Sequence, residues 1–330
     1  MQDRSHPKVA FAPRRLAHAN IFVSSHARSV PFYRDICGLT EVFQEPGIKA
    51  VFFSNGSSHH DVALMETSTQ PRIGRGGHVQ ISTGRGHSPG LNHLGFEMEN
   101  ERELVDAYER ASAAGVQILR TTDHGMSHSI YLFDPDGNLL EFYADAIEDW
   151  QAFYRDNENQ LISGGWNPRA AAPSERRLYQ ADFVPARVPG AAVHPRQIES
   201  AALVTADFGA MLRFYRDVAG LGLVAEGDGY ALLSGALGSP ALALQRAREG
   251  ARTGLGHVTF SLMPGGDLRG AQEALGRAGV PVFDRLVHAE TPAVVVRDPD
   301  GLELAFIEGP PAVVGAALMS DVAAVPPHGR

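Results

Sequence analysis

His18-Ala19-Asn20-Ile21-Phe22-Val23, leading to Pro31-Phe32-Tyr33-Arg34-Asp35-Ile36-Cys37-Gly38-Leu39, decides the fold because the chain carries this stretch twice. Ser200-Ala201-Ala202-Leu203-Val204-Thr205 leads, without a gap, to Arg213-Phe214-Tyr215-Arg216-Asp217-Val218-Ala219-Gly220-Leu221. Further on, Gly90-Leu91-Asn92-His93-Leu94-Gly95-Phe96 matches Gly254-Leu255-Gly256-His257-Val258-Thr259-Phe260, and Asp134-Pro135-Asp136-Gly137 matches Asp298-Pro299-Asp300-Gly301. The chain therefore reads as two copies of one domain.

Composition agrees. A length of 330 residues exceeds the usual single domain, and a hydrophobic share of 44% supplies two ordinary cores. A net charge of −9 without a basic run argues against nucleic-acid or anionic-membrane partners. Residues 1–7 lack the apolar core of a signal peptide, and no stretch approaches the ~20 apolar residues of a membrane span. The single cysteine, Cys37, excludes an internal disulfide and reads as a small core residue on an apolar helix stripe. A cytoplasmic location is the expectation.

Each copy reads as strand, helix, strands, twice over. The first helix is expected from Ser25, with Ser24 or Ser25 as its cap, to Gly38, and the second from Asn100 to Ala114 with Gly115 as terminator. Strands are expected at about 16–23, 49–54, 60–66, 91–98, 128–133 and 138–144, with Asp134-Pro-Asp-Gly turning the last two into a hairpin. Residues 67–90 read as a long loop of the kind that carries function, with 151–194 as an interdomain linker containing a short helix near Trp150 to Tyr154. The domains are expected at 1–150 and 195–310, followed by a frayed tail at 311–330.

Strand alternation sets the direction of three side chains. Leu94, Phe96 and Met98 share the face that packs on helices, so His93, Gly95 and Glu97 share the other; Leu140 and Phe142 likewise place Glu141 opposite, and His18 opposes Ala19. If these strands are neighbours, two imidazoles and one carboxylate project from the concave side of a curved sheet. Such a set leaves coordination positions open, as in non-haem Fe(II) sites that hold substrate and dioxygen together, whereas a closed structural zinc site needs a fourth protein ligand.

These residues resemble the vicinal oxygen chelate superfamily, and the first copy resembles the type I extradiol, catechol 2,3-dioxygenase-like ring-cleavage enzymes. The resemblance covers about 14–150. It is carried by His18 with Phe32-Tyr33-Arg34-Asp35, by His59-His60-Asp61-Val62-Ala63-Leu64, by His93, and by Asp123-His124-Gly125-Met126-Ser127-His128-Ser129-Ile130-Tyr131 running to Glu141. It implies an α+β fold of tandem βαβββ units, two to a domain, each domain an open barrel. It also implies Fe(II), with Mn(II) suiting the same ligands, held by His18, His93 and Glu141. The reaction implied is cleavage of a catechol by O2 beside its two hydroxyls.

By the same resemblance His60 faces the dioxygen side and supplies a proton during O–O cleavage, Tyr131 hydrogen-bonds the substrate oxygen and helps deprotonate it, and His124 donates to the substrate hydroxylate, with His128 able to share that task. His59, His78 and His87 read as solvated or loop histidines. Family members commonly self-associate, so a homo-oligomer is expected.

The second copy is the internal control. Ser200 stands at the place of His18, Pro240 at His60, Val295 at Tyr131 and Ala305 at Glu141, leaving His257 and His288 in register with His93 and His124. Glu303 falls two residues before the ligand position. This domain reads as a scaffold without metal that covers the open side of the first or builds an oligomer contact. A swapped pairing of the four units would split the ligands between two incomplete sites, so sequential pairing is expected. Two other classes share the fold: an oxygen-independent glyoxalase-like or epimerase-like metalloenzyme, and a protein that sequesters an aromatic ligand.

Overall fold

Ala19, Ile21 and Val23 face a common core while His18, Asn20 and Phe22 face the opposite way, and this division of β1 (Arg15–Val23) organises the first domain. The structure is a computed structural model that describes residues 10–74, 77, 79–82, 84–157, 163–288 and 290–309. The tail 311–330, His78 and the first nine residues lie outside the described residues.

The first βαβββ unit continues with α1 (His26–Pro31), β2 (Glu41–Glu45), β3 (Ala50–Phe53) and β4 (Val62–Glu66). After a small ribbon of β5 (Arg72–Ile73) and β6 (Val79–Ile81) within the 67–90 connection, the second unit comprises β7 (Gly90–Glu97), α2 (Glu101–Ala113), β8 (Ile118–Asp123), β9 (Ser127–Phe133) and β10 (Leu139–Asp145). Then come α3 (Trp150–Asp156) and β11 (Gly164–Gly165), which extends the first sheet from within the expected linker. The second domain repeats the order with β12 (Pro195–Thr205), α4 (Phe208–Asp217), β13 (Gly222–Gly227), β14 (Tyr230–Ser234), β15 (Pro240–Arg246), β16 (Gly254–Leu262), α5 (Leu268–Arg277), β17 (Phe283–Val287), β18 (Thr291–Arg297) and β19 (Glu303–Ile307).

The sheets run β11-β8-β9-β10-β7-β1-β4-β3-β2 and β13-β14-β15-β12-β16-β19-β18-β17. Each is a curled half-barrel in which the two units meet at an antiparallel seam, β1 on β7 and β12 on β16. Pairing is therefore sequential, not swapped.

The first helix departs from expectation. Ser25 occupies the cap position without a side-chain hydrogen bond, and Ser24 Oγ donates instead to Asp300 of the second domain at 2.5 Å. Pro31, which lacks an N–H, widens the chain into a π-helical turn at Phe32–Ile36, closed by Cys37 N–H donating to Phe32 O at 2.9 Å. Gly38 then ends the helix at φ +71°, and a Cβ there would collide with the carbonyl of Val193. The second helix follows its sequence signals, with Asn100 Oδ1 accepting from Glu103 N–H and Gly115 at φ +73°.

The domains share one core built from the sheet faces turned away from the concave sides: Leu94, Phe96 and Phe142 on one part, Leu203, Phe260 and Phe306 on the other. Two equivalent hydrogen bonds tie them reciprocally. Tyr33 OH donates to Asp298 Oδ2 at 3.1 Å, and Tyr215 OH donates to Asp134 Oδ2 at 3.0 Å. The repeated Phe-Tyr-Arg-Asp and Asp-Pro-Asp-Gly segments thus meet across the domain boundary. Among the described residues, the second domain packs on the first through this common core and none of its residues lines the first domain's cavity. No helix among the described residues is long and apolar enough to cross a membrane.

Candidate metal centre

Three neighbouring strands bring the expected ligands together. Gly95 of β7 pairs with His18 of β1 on one side and with Glu141 of β10 on the other, while His93 lies two residues along β7 on the same face. Oε2 of Glu141 stands 2.9 Å from His18 Nε2 and 3.0 Å from His93 Nε2, and all three side chains are buried. Cis donors on a metal with bonds near 2.1 Å are about 3.0 Å apart, so this donor set fits a small divalent cation.

The protonation states fit as well. Burial lowers the His18 pKa to about 4 against the pull of Glu141, and burial also lowers His93. Burial opposes charge on Glu141, but His18 and His93 together hold its carboxyl well below the usual range. The set is two neutral imidazoles and a carboxylate, the form a divalent cation requires. His93 Nδ1–H donates to Asn92 Oδ1 at 2.9 Å, leaving buried Nε2 without hydrogen-bond geometry to any partner among the described residues, and Ser129 Oγ donates to Glu141 Oε1 at 2.6 Å. Both contacts orient ligands in the way that metal centres need.

The ligands open onto a cavity of about 50 Å³ bounded by Phe52, Met65, Met126 and the polar groups His59, His60, Arg120, His124, Tyr131 and Tyr154; no residue of the second sheet lines it. His60 stacks on His18 with ring centres 4.1 Å apart and donates Nε2–H to Asn20 Oδ1 at 3.0 Å. Burial first, and then His18, hold its pKa well below the ordinary histidine value. Tyr131 pairs directly with Glu141 across the β9–β10 hairpin, and His124 Nε2 lies 3.0 Å from its hydroxyl. Burial and the charge of Glu141 push the Tyr131 phenol well above its usual pKa, so it remains protonated.

Two histidines differ from expectation. His59 is buried, packs edge-on to His60 and Tyr143, and lines the cavity. The chain bends before β4, so adjacent residues both point inward, which a regular strand forbids. His128, by contrast, faces α2, hydrogen-bonded to Glu101 at 2.7 Å and stacked on Trp166, away from the cavity. His87 is exposed, as expected.

Sequence reading also missed Gly95, Ser129 and Tyr154. A Cβ at Gly95 would overlap the His18 ring at Nε2, Cε1 and Cδ2; a glycine inside a strand was the available signal. The Tyr154 hydroxyl is buried at the cavity without a hydrogen-bond partner among the described residues.

The second domain holds the predicted counterparts of His18, Glu141 and Tyr131 in register. Ser200 pairs with Thr259, Thr259 with Ala305, and Ala305 with Val295, so the row equivalent to His18, Gly95, Glu141 and Tyr131 contains neither imidazole nor carboxylate. Ser200 Oγ instead contacts His288 Nε2 at 2.8 Å, and Glu303 is engaged by Arg285 and Arg297.

Known proteins agree with this architecture. Residues 15–142 and 197–306 match the model of the Glyoxalase/Bleomycin resistance protein/Dioxygenase superfamily. The chain is 28% identical over 163 residues to biphenyl-2,3-diol 1,2-dioxygenase 3 of Rhodococcus globerulus, covering 48% of this chain and 80% of that one. It is also 28% identical over 141 residues to the metallothiol transferase FosB of Staphylococcus haemolyticus, covering 42% and 89%. Among solved structures, the 2,3-dioxygenase LapB of Pseudomonas sp. KL28 superposes with a TM-score of 0.64 at 16% identity over 92% of this chain and 96% of that one, which is a likeness of fold. With its two half-barrels each matched by the same family model, the chain belongs to the glyoxalase, bleomycin resistance protein and dioxygenase superfamily, also called the vicinal oxygen chelate superfamily.

Proposed function

We propose that the first domain, residues 1–150, cleaves a catechol-type ring by O2 in the extradiol manner at one Fe(II), Mn(II) being the other metal its donors suit. In this reading His18, His93 and Glu141 hold the metal, His60, Tyr131 and His124 act on substrate and oxygen, and residues 195–310 form a scaffold without metal. The observation that carries it is the convergence of two neutral imidazoles and a carboxylate with the Tyr131–His124 pair in one buried cavity. The dioxygenase relative supports it.

Bound Fe(II) would supply a Lewis acid and electron conduit that brings catechol and dioxygen to one centre. The chain's own residues do the rest. Phe52, Met65 and Met126 give the ring an apolar wall and limit water. Tyr131, held protonated, donates its O–H to a substrate oxygen, and His124 beside it orients the phenol and exchanges the substrate proton. His60 is neutral at rest, so it would take one of the two catechol hydroxyl protons and later return it to the oxygen released when O–O breaks.

Dioxygen uptake by protein reconstituted anaerobically with Fe(II), across a panel of substituted catechols, tests the reading. Stoichiometric uptake with a yellow ring-fission product is the expected result. A second reading, oxygen-independent transfer or isomerisation at the same donors, is favoured by the FosB relative. Tight binding of one metal per chain without uptake on any catechol would select it.

A further inference from the structure

The ladder registers place one row of residues across five strands of the first sheet. Arg120 pairs with Tyr131, Tyr131 with Glu141, Glu141 with Gly95, and Gly95 with His18. Directly paired residues share a sheet face, so Arg120 extends the ligand row toward the cavity rim, where it forms part of the lining. Its guanidinium carbon sits 4.3 Å over the centre of the Tyr131 ring. Among the described residues no carboxylate pairs with it. A second cation lies close by: Arg85 is partly buried over Phe133, and burial followed by the charge of Arg120 disfavours its own charge. The rim therefore carries positive charge that its described neighbours leave uncompensated.

The second domain shows what this ladder position does without a cavity. The equivalent row is Phe283, Val295, Ala305, Thr259 and Ser200, and Phe283 packs on an apolar cluster that includes Val295 and Ala305. The cation is present where the row faces an open cavity and replaced by an aromatic ring where that face is filled.

We propose that the ring bound in the first domain carries an anionic substituent, a carboxylate or a group of the same charge and shape, which Arg120 binds at the cavity rim. The inference rests on the ring-cleavage reading above and narrows its substrate class. A planar guanidinium stacked on Tyr131 presents its N–H fork edgewise, the geometry that a carboxylate accepts. Arg85 strengthens the local field without needing to touch the ligand.

The test compares 3,4-dihydroxyphenylacetate with its methyl ester, which differ in charge and little in shape. Calorimetric titration of Fe(II)-loaded protein under argon reads affinity without turnover, and dioxygen uptake in parallel reads cleavage. The acid is expected to bind at least about tenfold more tightly than the ester, with Arg120→Gln bringing the ratio toward one and Arg120→Lys retaining part of it. The preference should also shrink as salt is raised. An equal loss for acid and ester in Arg120→Gln would make Arg120 a positioning residue for Tyr131 and overturn the proposal. Cleavage of both with no preference in the unaltered protein overturns it too, while leaving ring cleavage standing. Binding of neither ligand overturns this inference, and ring cleavage falls with it only when no catechol of the panel supports dioxygen uptake.

Discussion

Gly95 and His18 face each other across the β1–β7 seam, and the imidazole occupies the space that any side chain at Gly95 would need. At the same position of the second domain Thr259 stands opposite Ser200, so side-chain bulk at one site and the small residue at the other are exchanged as a pair. The His18 imidazole is thus placed by the absence of a side chain on its neighbour.

Gly95→Ala is expected to drive the His18 ring out of position and weaken Fe(II) retention by at least about tenfold, the scale seen when supporting groups of a metal centre are lost. Metal content after dialysis against a chelator measures this. Unchanged retention with an unshifted His18 ring resonance would show that the strand yields instead.

Glu141→Ala removes the one anionic donor and is expected to abolish both iron retention and turnover, whereas Glu303→Ala is expected to change neither. The second variant loses partly exposed pairs with Arg285 and Arg297, at a cost of about 1 kcal/mol or less. Iron lost from Glu303→Ala alone would place the centre in the other domain.

Tyr131→Phe keeps the ring and deletes the donor. Turnover should fall roughly a hundredfold, at the low end of general acid–base contributions, with iron content unaffected. A variant as fast as the parent would remove Tyr131 from the chemistry.

Tyr154→Phe should act in opposite senses on stability and binding. The buried hydroxyl has no described partner, so its removal is expected to stabilise the resting fold by about 1 kcal/mol, while KM for the ring substrate rises. Stabilisation with an unchanged KM would reduce Tyr154 to wall packing.

Stability should fall in acid, in part through the second domain. Burial lowers His257 to about 4 and His288 to about 3, from an unfolded value near 6.5. Between those limits the unfolded chain binds protons that the folded chain refuses. Stability is therefore full above pH 6.5 and drains as pH falls toward the folded values, with a limit of about 3 kcal/mol for His257. His288→Asn, which suits the backbone there at φ +52°, should flatten the urea-unfolding profile of metal-free protein between pH 7 and 4. An unaltered slope would mean that His288 gains its proton without unfolding.

Much of this was legible in the residues. Period-two alternation oriented His18, His93 and Glu141, and the repeat assigned Ser200, Thr259 and Ala305 to matching registers that the ladders reproduce. What failed was local reasoning at points where distant partners intervene. Ser24 abandons the helix cap for Asp300, which sequence spacing cannot anticipate. His59 points inward because the chain bends, and Tyr154 reaches the cavity from a segment that reads as linker. Gly95 was visible as a strand glycine, but its meaning depended on knowing which ring lay across the seam.

The reciprocal bonds of Tyr33 to Asp298 and Tyr215 to Asp134 have a practical consequence for anyone wishing to shorten this protein. Each half anchors a turn of the other, and the apolar backs of both sheets form one common foundation. A clone ending before the second half would bare that foundation to water, strand the Tyr33 hydroxyl and take from Asp134 its Tyr215 donor, so the first half is no portable cassette. The second half is its permanent plinth.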